Sequence, residues 1–360
     1  MKIIFVLGTK AQFIKTIPMI NFAIKENLDV IIFDLKQHPE KTKLLISNIN
    51  GKYKYVSFIE NENDLGTYIG LMWWSLKILI KTIFTSQRIF KNNFSVVHGD
   101  TLSTLLGAIL ILRNKGRLVL LEAGLGFPGM FKHFPESFVR YYVAKFSDIM
   151  IANGSDQIKQ LNNWKVKGKI IEISRNTIYD SLDLVDLSKE SNKNKVTISI
   201  HRTENINNKE NMKKLVDVIL NIDSKFEIIW YLHIPTKNKL NSYNLISVLN
   251  DGNVILEDLL PYDEFLNSIN NSDFVITDGD GVVEECFILG VPTLVWRYEH
   301  LDSSHLFMED TSLLLSEFDY QKCNKFFENY KDYKKDRKKQ INSPSEEALS
   351  KLINSNQNIQ

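Results

Sequence analysis

The stretch FSVVHGDTLSTLLGAILIL, Phe94–Leu112, decides how the rest of the chain is read. Phe94–Val97 is a short apolar run, HGDT (His98–Thr101) is a polar turn containing a glycine, and apolar residues then recur at helical spacing to about Leu112. A brief apolar run bounded by turn signals reads as a strand buried on both faces, and a helix directly after it makes one step of a parallel sheet. Asp100 then stands beyond the carboxyl end of a strand, where open α/β sheets bind their ligands. An aspartate there can equally be a plain helix N-cap, so Asp100 needs company before it means chemistry.

Outward from this unit the same rhythm repeats. Strand-like Lys2–Leu7 and Val30–Asp34 flank helix-like Ala11–Lys25, and a long helical stretch runs around Gly70–Lys91. Strand-like Leu118–Leu121 and Asp148–Ala152 flank a helix over Phe138–Phe146. Around Leu184–Lys195 the composition turns to Asp, Ser, Asn and Lys without apolar periodicity, which marks a linker. Beyond it the pattern restarts, with strands at Val196–Ile200, Phe226–Leu232, Val254–Leu256, Phe274–Thr277 and Pro292–Trp296 and helices at Asn211–Ile222, Tyr262–Ile269 and Gly281–Ile288. The expected fold class is α/β, with two doubly wound Rossmann-like domains facing a cleft in a glycosyltransferase-B-like architecture. The expected domains are residues 1–183 and 195–335. The tail, Gln321–Gln360, is polar and rich in Lys and Asn, helical and then frayed, and its residues 336–360 form a C-terminal helix or tail beyond the second domain.

Composition excludes more than it selects. The 360 residues carry 44 basic and 43 acidic side chains, a formal net charge of +1, so no broad field exists for nucleic acid. Cys286 and Cys323 are the only cysteines, too few for a metal cluster or a disulfide framework. The N-terminus runs straight into a strand without a signal pattern, and the cytoplasm is the expected compartment. Tyr68–Phe84 is strongly apolar, but Lys77 and Lys81 interrupt it and it falls short of the roughly 20 residues a membrane span needs. It reads as a helix packed at a core or subunit interface, with Met72, Trp73 and Trp74 as packing residues and a homodimer as the assembly it allows. A helix lying on a membrane surface is the alternative. GxxxxGK[ST] does not occur, and the one GxGxxG match, GLGFPG at Gly124–Gly129, contains a proline and does not lead straight into the helix over Phe138–Phe146, so neither a P-loop nor a nicotinamide cofactor has its usual warrant.

Three further acid–base side chains sit in marked turns: Glu122 in EAGL after Leu118–Leu121, Glu136 in FPE, and His201 in SIHRTEN after Val196–Ile200. Each has a plain structural reading, as a surface loop acid, a helix start, and a satisfied histidine at a strand end. With FVLGTKAQFIKTIP at the N-terminus, KQH at Lys36–His38, HGDTLSTLLGA, FPESFVR, YLHIP and TDGDGVVEE, they form a series that resembles the UDP-N-acetylglucosamine 2-epimerase family from residue 5 to about 300. The resemblance implies a UDP-linked 2-acetamido sugar as ligand, with no metal and no redox cofactor. It implies removal of the C2 proton as UDP leaves C1, through a 2-acetamidoglucal intermediate. Return of UDP gives the C2 epimer; water in its place releases N-acetylmannosamine. Asp100, Glu122 and Glu136 are implied for proton transfer and His201 for the departing diphosphate. Lys10, Lys15, Arg140, Arg202, His233, the Gly279-Asp280-Gly281 turn, Glu285 and Arg297 are implied for substrate and UDP. Carboxylates sharing one pocket repel each other, and the expectation is that one stays protonated near neutral pH.

The chain departs from the family pattern mainly around the nucleotide. Lys10-Ala11-Gln12 replaces arginine-proline-glutamate, and Gly279-Asp280-Gly281 replaces serine-glycine-glycine. Asp280 would repel phosphate unless it is paired or turned away. Glu299–Ser304 replaces a threonine-glutamate-arginine-proline-glutamate stretch, and His300 and His305 beside Glu299 and Asp302 give no readable metal geometry. Two rivals remain at this stage: a transferase passing sugar from a UDP donor to an acceptor, and a UDP-sugar-binding protein without turnover.

Overall fold

A computed structural model describes residues 1–61, 63–65, 67–126, 135–187, 194–222, 224–252, 254–298, 304–307, 310–338 and 342–357. The chain divides into two compact units, Met1–Leu184 with Ile341–Gln360, and Val185–Gln340.

The first unit alternates β1 (Lys2–Leu7), α1 (Lys10–Lys25), β2 (Asp29–Asp34), α2 (Pro39–Ile46), β3 (Lys54–Ser57), α3 (Tyr68–Phe84), β4 (Phe94–His98), α4 (Leu102–Arg113), β5 (Arg117–Leu121), α5 (Glu136–Phe146), β6 (Ile149–Ala152), α6 (Ser155–Asn163), β7 (Lys169–Glu172) and α7 (Ile178–Asp183). The sheet runs β3-β2-β1-β4-β5-β6-β7 with its pairs parallel. Strand order reverses between β1 and β4, so the crevice for a ligand lies beyond their carboxyl ends. Every residue of β4 is buried, as expected for a strand covered by helices on both faces. Gly107 is what lets α4 lie this close, because a Cβ there would stand 2.9 Å from Val6 Cγ1.

The second unit repeats the plan: β8 (Lys195–Ser199), α8 (Thr203–Ile206), α9 (Lys209–Leu220), β9 (Glu227–Leu232), α10 (Ile234–Ser242), α11 (Ile246–Asp251), β10 (Val254–Asp258), α12 (Tyr262–Asn270), β11 (Phe274–Thr277), α13 (Asp280–Leu289), β12 (Thr293–Val295), β13 (Leu313–Leu315) and α14 (Tyr320–Asn329). Its sheet runs β10-β9-β8-β11-β12-β13, again parallel, with the switch between β8 and β11. Trp230, Trp296, Phe274 and Phe326 fill its largest core.

Two expectations change and a third narrows. The polar tail is not frayed through its described length: α14 seats Cys323 and Phe326 in the second unit's core, and α15 (Pro344–Gln357) packs on α1 of the first. Ser345 N–H also bonds Asp180 Oδ2 at 2.7 Å. The apolar residues responsible recur at helical spacing but are diluted by Lys and Asn. The long helix stops at Phe84, and a short 3-10 turn at Arg88–Phe90 follows. Trp74 is buried, its Nε1 donating to the Leu35 carbonyl at 2.8 Å. Met72 and Trp73 do not pack within the chain and are 71% and 60% exposed, because the helix turns Trp74, Ile78 and Thr82 inward and they lie on its other side, which leaves a subunit interface as the packing open to them.

Gln12 fastens the two turns at the first switch point. Its Oε1 accepts from Gly8 N at 2.8 Å and Ser103 Oγ at 2.9 Å, and its Nε2 donates to the His98 carbonyl and Thr104 Oγ1, both at 2.9 Å. The amide supplies a donor and an acceptor at once, which an ionised glutamate cannot do. Gln12→Ala is expected to leave several buried polar groups unpaired and to cost about 2–4 kcal/mol. Gln12→Glu should be less stable at pH 8 than at pH 5, where the carboxyl can donate. Urea unfolding of both variants at the two pH values checks this.

Candidate functional site

In the first unit the site grows from the ends of β4 and β5. Glu122, the residue after β5, has φ 58°, a left-handed conformation that a glutamate holds only when its surroundings fix it. Lys15 from α1 lies with Nζ 2.5 Å from Glu122 Oε1, and Asn176, between β7 and α7, donates to the same oxygen at 2.6 Å. His98, the last residue of β4, has Nδ1 3.8 Å from the other oxygen, Oε2. Burial pushes the Glu122 carboxyl up, but the Lys15 ammonium, the His98 ring and these hydrogen bonds overcome it and hold the pKa at about 2. Burial drives His98 the other way, down to about 4, against the pull of Glu122. Near neutral pH the site therefore holds a carboxylate, an ammonium and a neutral imidazole.

Asp100 lies two residues past β4. Arg140 of α5 reaches its Oδ2 with Nε at 2.6 Å and Nη2 at 2.5 Å. The N-cap role falls to Thr101, whose hydroxyl faces Thr104 N, so the plain reading of Asp100 does not hold. Glu136 is the exposed first residue of α5, one helical turn before Arg140, and so shares a face with the residue that holds Asp100. The expected mutual repulsion is not the arrangement found. Asp100 and Glu122 each have their own cation, and the Glu122 shift is downward. Lys10 opens α1 and is partly buried.

In the second unit the residues converge where β8, β9, β11 and β12 end. Asp278 is wholly buried and accepts from the backbone N–H of His201 at 2.9 Å, that of Arg202 at 3.1 Å, and Asn205 Nδ2 at 2.8 Å. The His201 ring stacks on His233 with centroids 4.5 Å apart. It also presses on Gly279, where a Cβ would fall 2.4 Å from His201 Cε1, so the serine of the family pattern has no room here. Asp280 opens α13 and is gripped by two guanidinium groups, Arg202 Nη1 on Oδ2 and Arg297 Nη1 on Oδ1, each at 2.7 Å. The acid that sequence placed near phosphate is thus paired. Gly281 beside it borders open space. Glu285, one turn into α13, is buried and accepts from Tyr262 Oη at 3.0 Å.

Asp100, Glu122 and Glu136 belong to the first unit and His201 to the second. Sequence marks Gln12 only as a departure from the family pattern and does not single out His98 and Asn176, or in the second unit Asp278, Asn205 and Tyr262. His98 in HGD and Asp278 in TDGDG stood inside quoted motifs; Asn176 and Tyr262 carry no local signal. Glu299–Ser303, with His300, and Phe134 of the FPE turn lie outside the described residues.

A family profile described as UDP-N-acetylglucosamine 2-epimerase matches residues 24–344. The UDP-N-acetylglucosamine 2-epimerase of Methanocaldococcus jannaschii is 29% identical over 316 residues, covering 82% of this chain and 84% of its own. That of Methanococcus maripaludis is 28% identical over 313 residues, covering 82% and 83%. A crystal structure of the M. jannaschii enzyme in complex with UDP-GlcNAc and UDP aligns at TM-score 0.73 and 25% identity, over 99% of this chain and 100% of that one. The Neisseria meningitidis enzyme bound to UDP-GlcNAc shares the fold at TM-score 0.79 and 22% identity, over 100% of both chains.

The depressed pKa values of His98 and Glu122 contribute to the acid limb of the first unit's stability. His98 resists protonation between its ordinary 6.5 and about 4, and Glu122 between 4.5 and about 2. Each contribution is complete above the ordinary value and is lost as pH falls through the depressed one, on the order of 3 kcal/mol apiece. His98→Gln should flatten the loss between pH 6.5 and 4, and Glu122→Gln the loss between pH 4.5 and 2. Urea midpoints measured against pH test both, and a profile identical to the parent's in either variant contradicts the assignment.

Proposed function

The chain belongs to the UDP-N-acetylglucosamine 2-epimerase family, and from that premise we propose that it acts at C2 of a UDP-linked 2-acetamido sugar. A carboxylate takes the C2 proton, the C–H electrons form the C1=C2 bond, and the C1–O bond breaks onto the β-phosphate. The products are 2-acetamidoglucal and UDP. Returning UDP to C1 and a proton to the opposite face of C2 gives the epimer; addition of water gives the free sugar. Such a step needs a positioned base and a stabilised leaving group together.

The observation that supports this most is the pair of ion pairs at neighbouring strand ends, Arg140 on Asp100 and Lys15 on Glu122. The burial of Glu122 is outweighed by the Lys15 ammonium and the hydrogen bonds on the carboxylate, which hold it ionised and fixed in direction. Proton transfer is assigned to Asp100, Glu122 and Glu136, with Arg140 fixing Asp100 and Lys15 fixing Glu122. In the second unit the cluster at the start of α13 suits the nucleotide, with His201 donating to the departing diphosphate and His233, Arg202, Arg297 and Glu285 completing the hold. The buried free thiols Cys286 and Cys323 fit the reducing cytoplasm, where we place the protein.

The exposed side of α3 completes the reading. Ile69, Met72, Trp73, Leu76, Ile80, Ile83 and Phe84 form an apolar stripe along a helix that, among the described residues, is not long and apolar enough to cross a membrane. A stable dimer buries about 800 Å² on each partner, and we assign this stripe of seven exposed apolar side chains to a second copy of the chain. Ile80→Glu should convert a dimer to a monomer in sedimentation equilibrium. A monomeric parent that co-sediments with anionic vesicles would instead identify the face as a membrane surface.

Incubation with UDP-GlcNAc in heavy water tests the chemistry. Deuterium at C2 of the recovered UDP-sugar marks epimerisation, and deuterated N-acetylmannosamine marks the hydrolytic outcome. Turnover only with an added acceptor, without exchange, points to a transferase. Asp100→Asn and Glu136→Gln should each lower kcat by at least ~100-fold while leaving the UDP Kd unchanged. Parent-like activity in both would remove them from the reaction.

A further inference from the structure

The start of α13 holds an acid where an anionic ligand is to be received. Asp280 is the helix's first residue, and its two carboxylate oxygens separately accept from Arg202 and Arg297 at 2.7 Å. Arg202 also donates through Nε to Glu204, and Arg297 donates through Nε and Nη2 to the Asp278 carbonyl. The guanidinium N–H groups turned toward Asp280 are the kind that grip phosphate oxygens, and a carboxylate satisfies them in the same geometry. Among the described residues, hydrogen bonds join three carboxylates, Asp278, Asp280 and Glu204, to Arg202 and Arg297 and their neighbours. Gly281, next in the chain, faces open space: a Cβ there would meet nothing within 4 Å. The backbone N–H groups of a helix start and two arginines therefore border room for an anion, with one side chain already on the arginines.

We infer that Asp280 is a resident competitor for the ligand's phosphates, occupying Arg202 and Arg297 in the free protein and releasing them when a diphosphate arrives. The inference rests on the reading that the second unit holds UDP. Asp280 thereby sets how strongly the phosphates, as opposed to the uridine, contribute to binding. It makes the chain discriminate by phosphate charge, since only an anion that outcompetes a carboxylate gains both arginines. The glycine at 279 and the aspartate at 280 then form one adaptation: the first admits the His201 ring against the backbone, and the second satisfies the arginines while no ligand is bound.

The test is calorimetric titration of the parent, Asp280→Asn and Asp280→Glu with UDP and with uridine, in buffer containing EDTA and again in buffer containing Mg2+ without EDTA. Asn keeps the shape and removes the charge. The expected result is UDP binding about tenfold tighter in Asp280→Asn, uridine binding unchanged, and Asp280→Glu close to the parent. UDP binding that is unchanged or weaker in Asp280→Asn, with the parent binding UDP normally, overturns the inference and leaves the nucleotide reading intact. Weaker binding of both ligands also overturns it, because Asp280 would then support the fold. Parent binding that requires Mg2+ and is lost in Asp280→Asn overturns it too, by making Asp280 a metal ligand. Failure of parent and variants alike to bind UDP overturns both the inference and the reading beneath it.

Discussion

Parallel pairing constrains everything else in this chain. Among the described residues both sheets are parallel, so all strands of a sheet end on the same edge, and at that edge backbone and side-chain polar groups must find partners outside the ladder. At the first switch point one buried amide, Gln12, meets that need by tying the β1–α1 turn to the β4–α4 turn. At the second, buried Asp278 does so by accepting the N–H groups after β8. These two residues hold the ligand-facing turns in place, and neither is itself an obvious reactive group.

Charge at both edges is answered locally. Glu122 has Lys15, Asp100 has Arg140, and Asp280 has Arg202 and Arg297. A carboxylate left alone at such partly buried positions would rise in pKa and lose its charge; a paired one stays ionised and fixed in direction. At Asp280 the proposed binding of a diphosphate is then an exchange of partners, in which the anion must offer Arg202 and Arg297 more than the carboxylate it replaces.

The two units carry complementary chemistry on the same topology. The first presents carboxylates with their cations beyond β4 and β5, and the second presents arginines, two stacked histidines and a helix start beyond β8, β9 and β11. The six-strand order of the second sheet recurs in the first, which adds β7 at one edge, so both present the same kind of carboxyl edge. What differs is the residue type each turn delivers, which is where function resides on shared folds.

The alternating apolar runs and helical stretches determined the fold class, because burial of a parallel strand on both faces leaves a continuous apolar signature that a single sequence displays. The motif turns likewise put Asp100, Glu122, His201 and Asp280 at strand ends by position alone. Pairing was decided only by tertiary structure. Lys15 and Glu122 are 107 residues apart, Arg140 and Asp100 are 40 apart, and Arg202 and Asp280 are 78 apart. Whether like charges repel or are each matched by a cation depends on a few ångströms across elements that local sequence does not bring together. The direction of the Glu122 shift, the fate of Asp280, the exposure of Met72 and Trp73, and the docking of α15 on α1 all belong to that second class. Coulomb forces and packing act through space, and only the folded chain sets those distances.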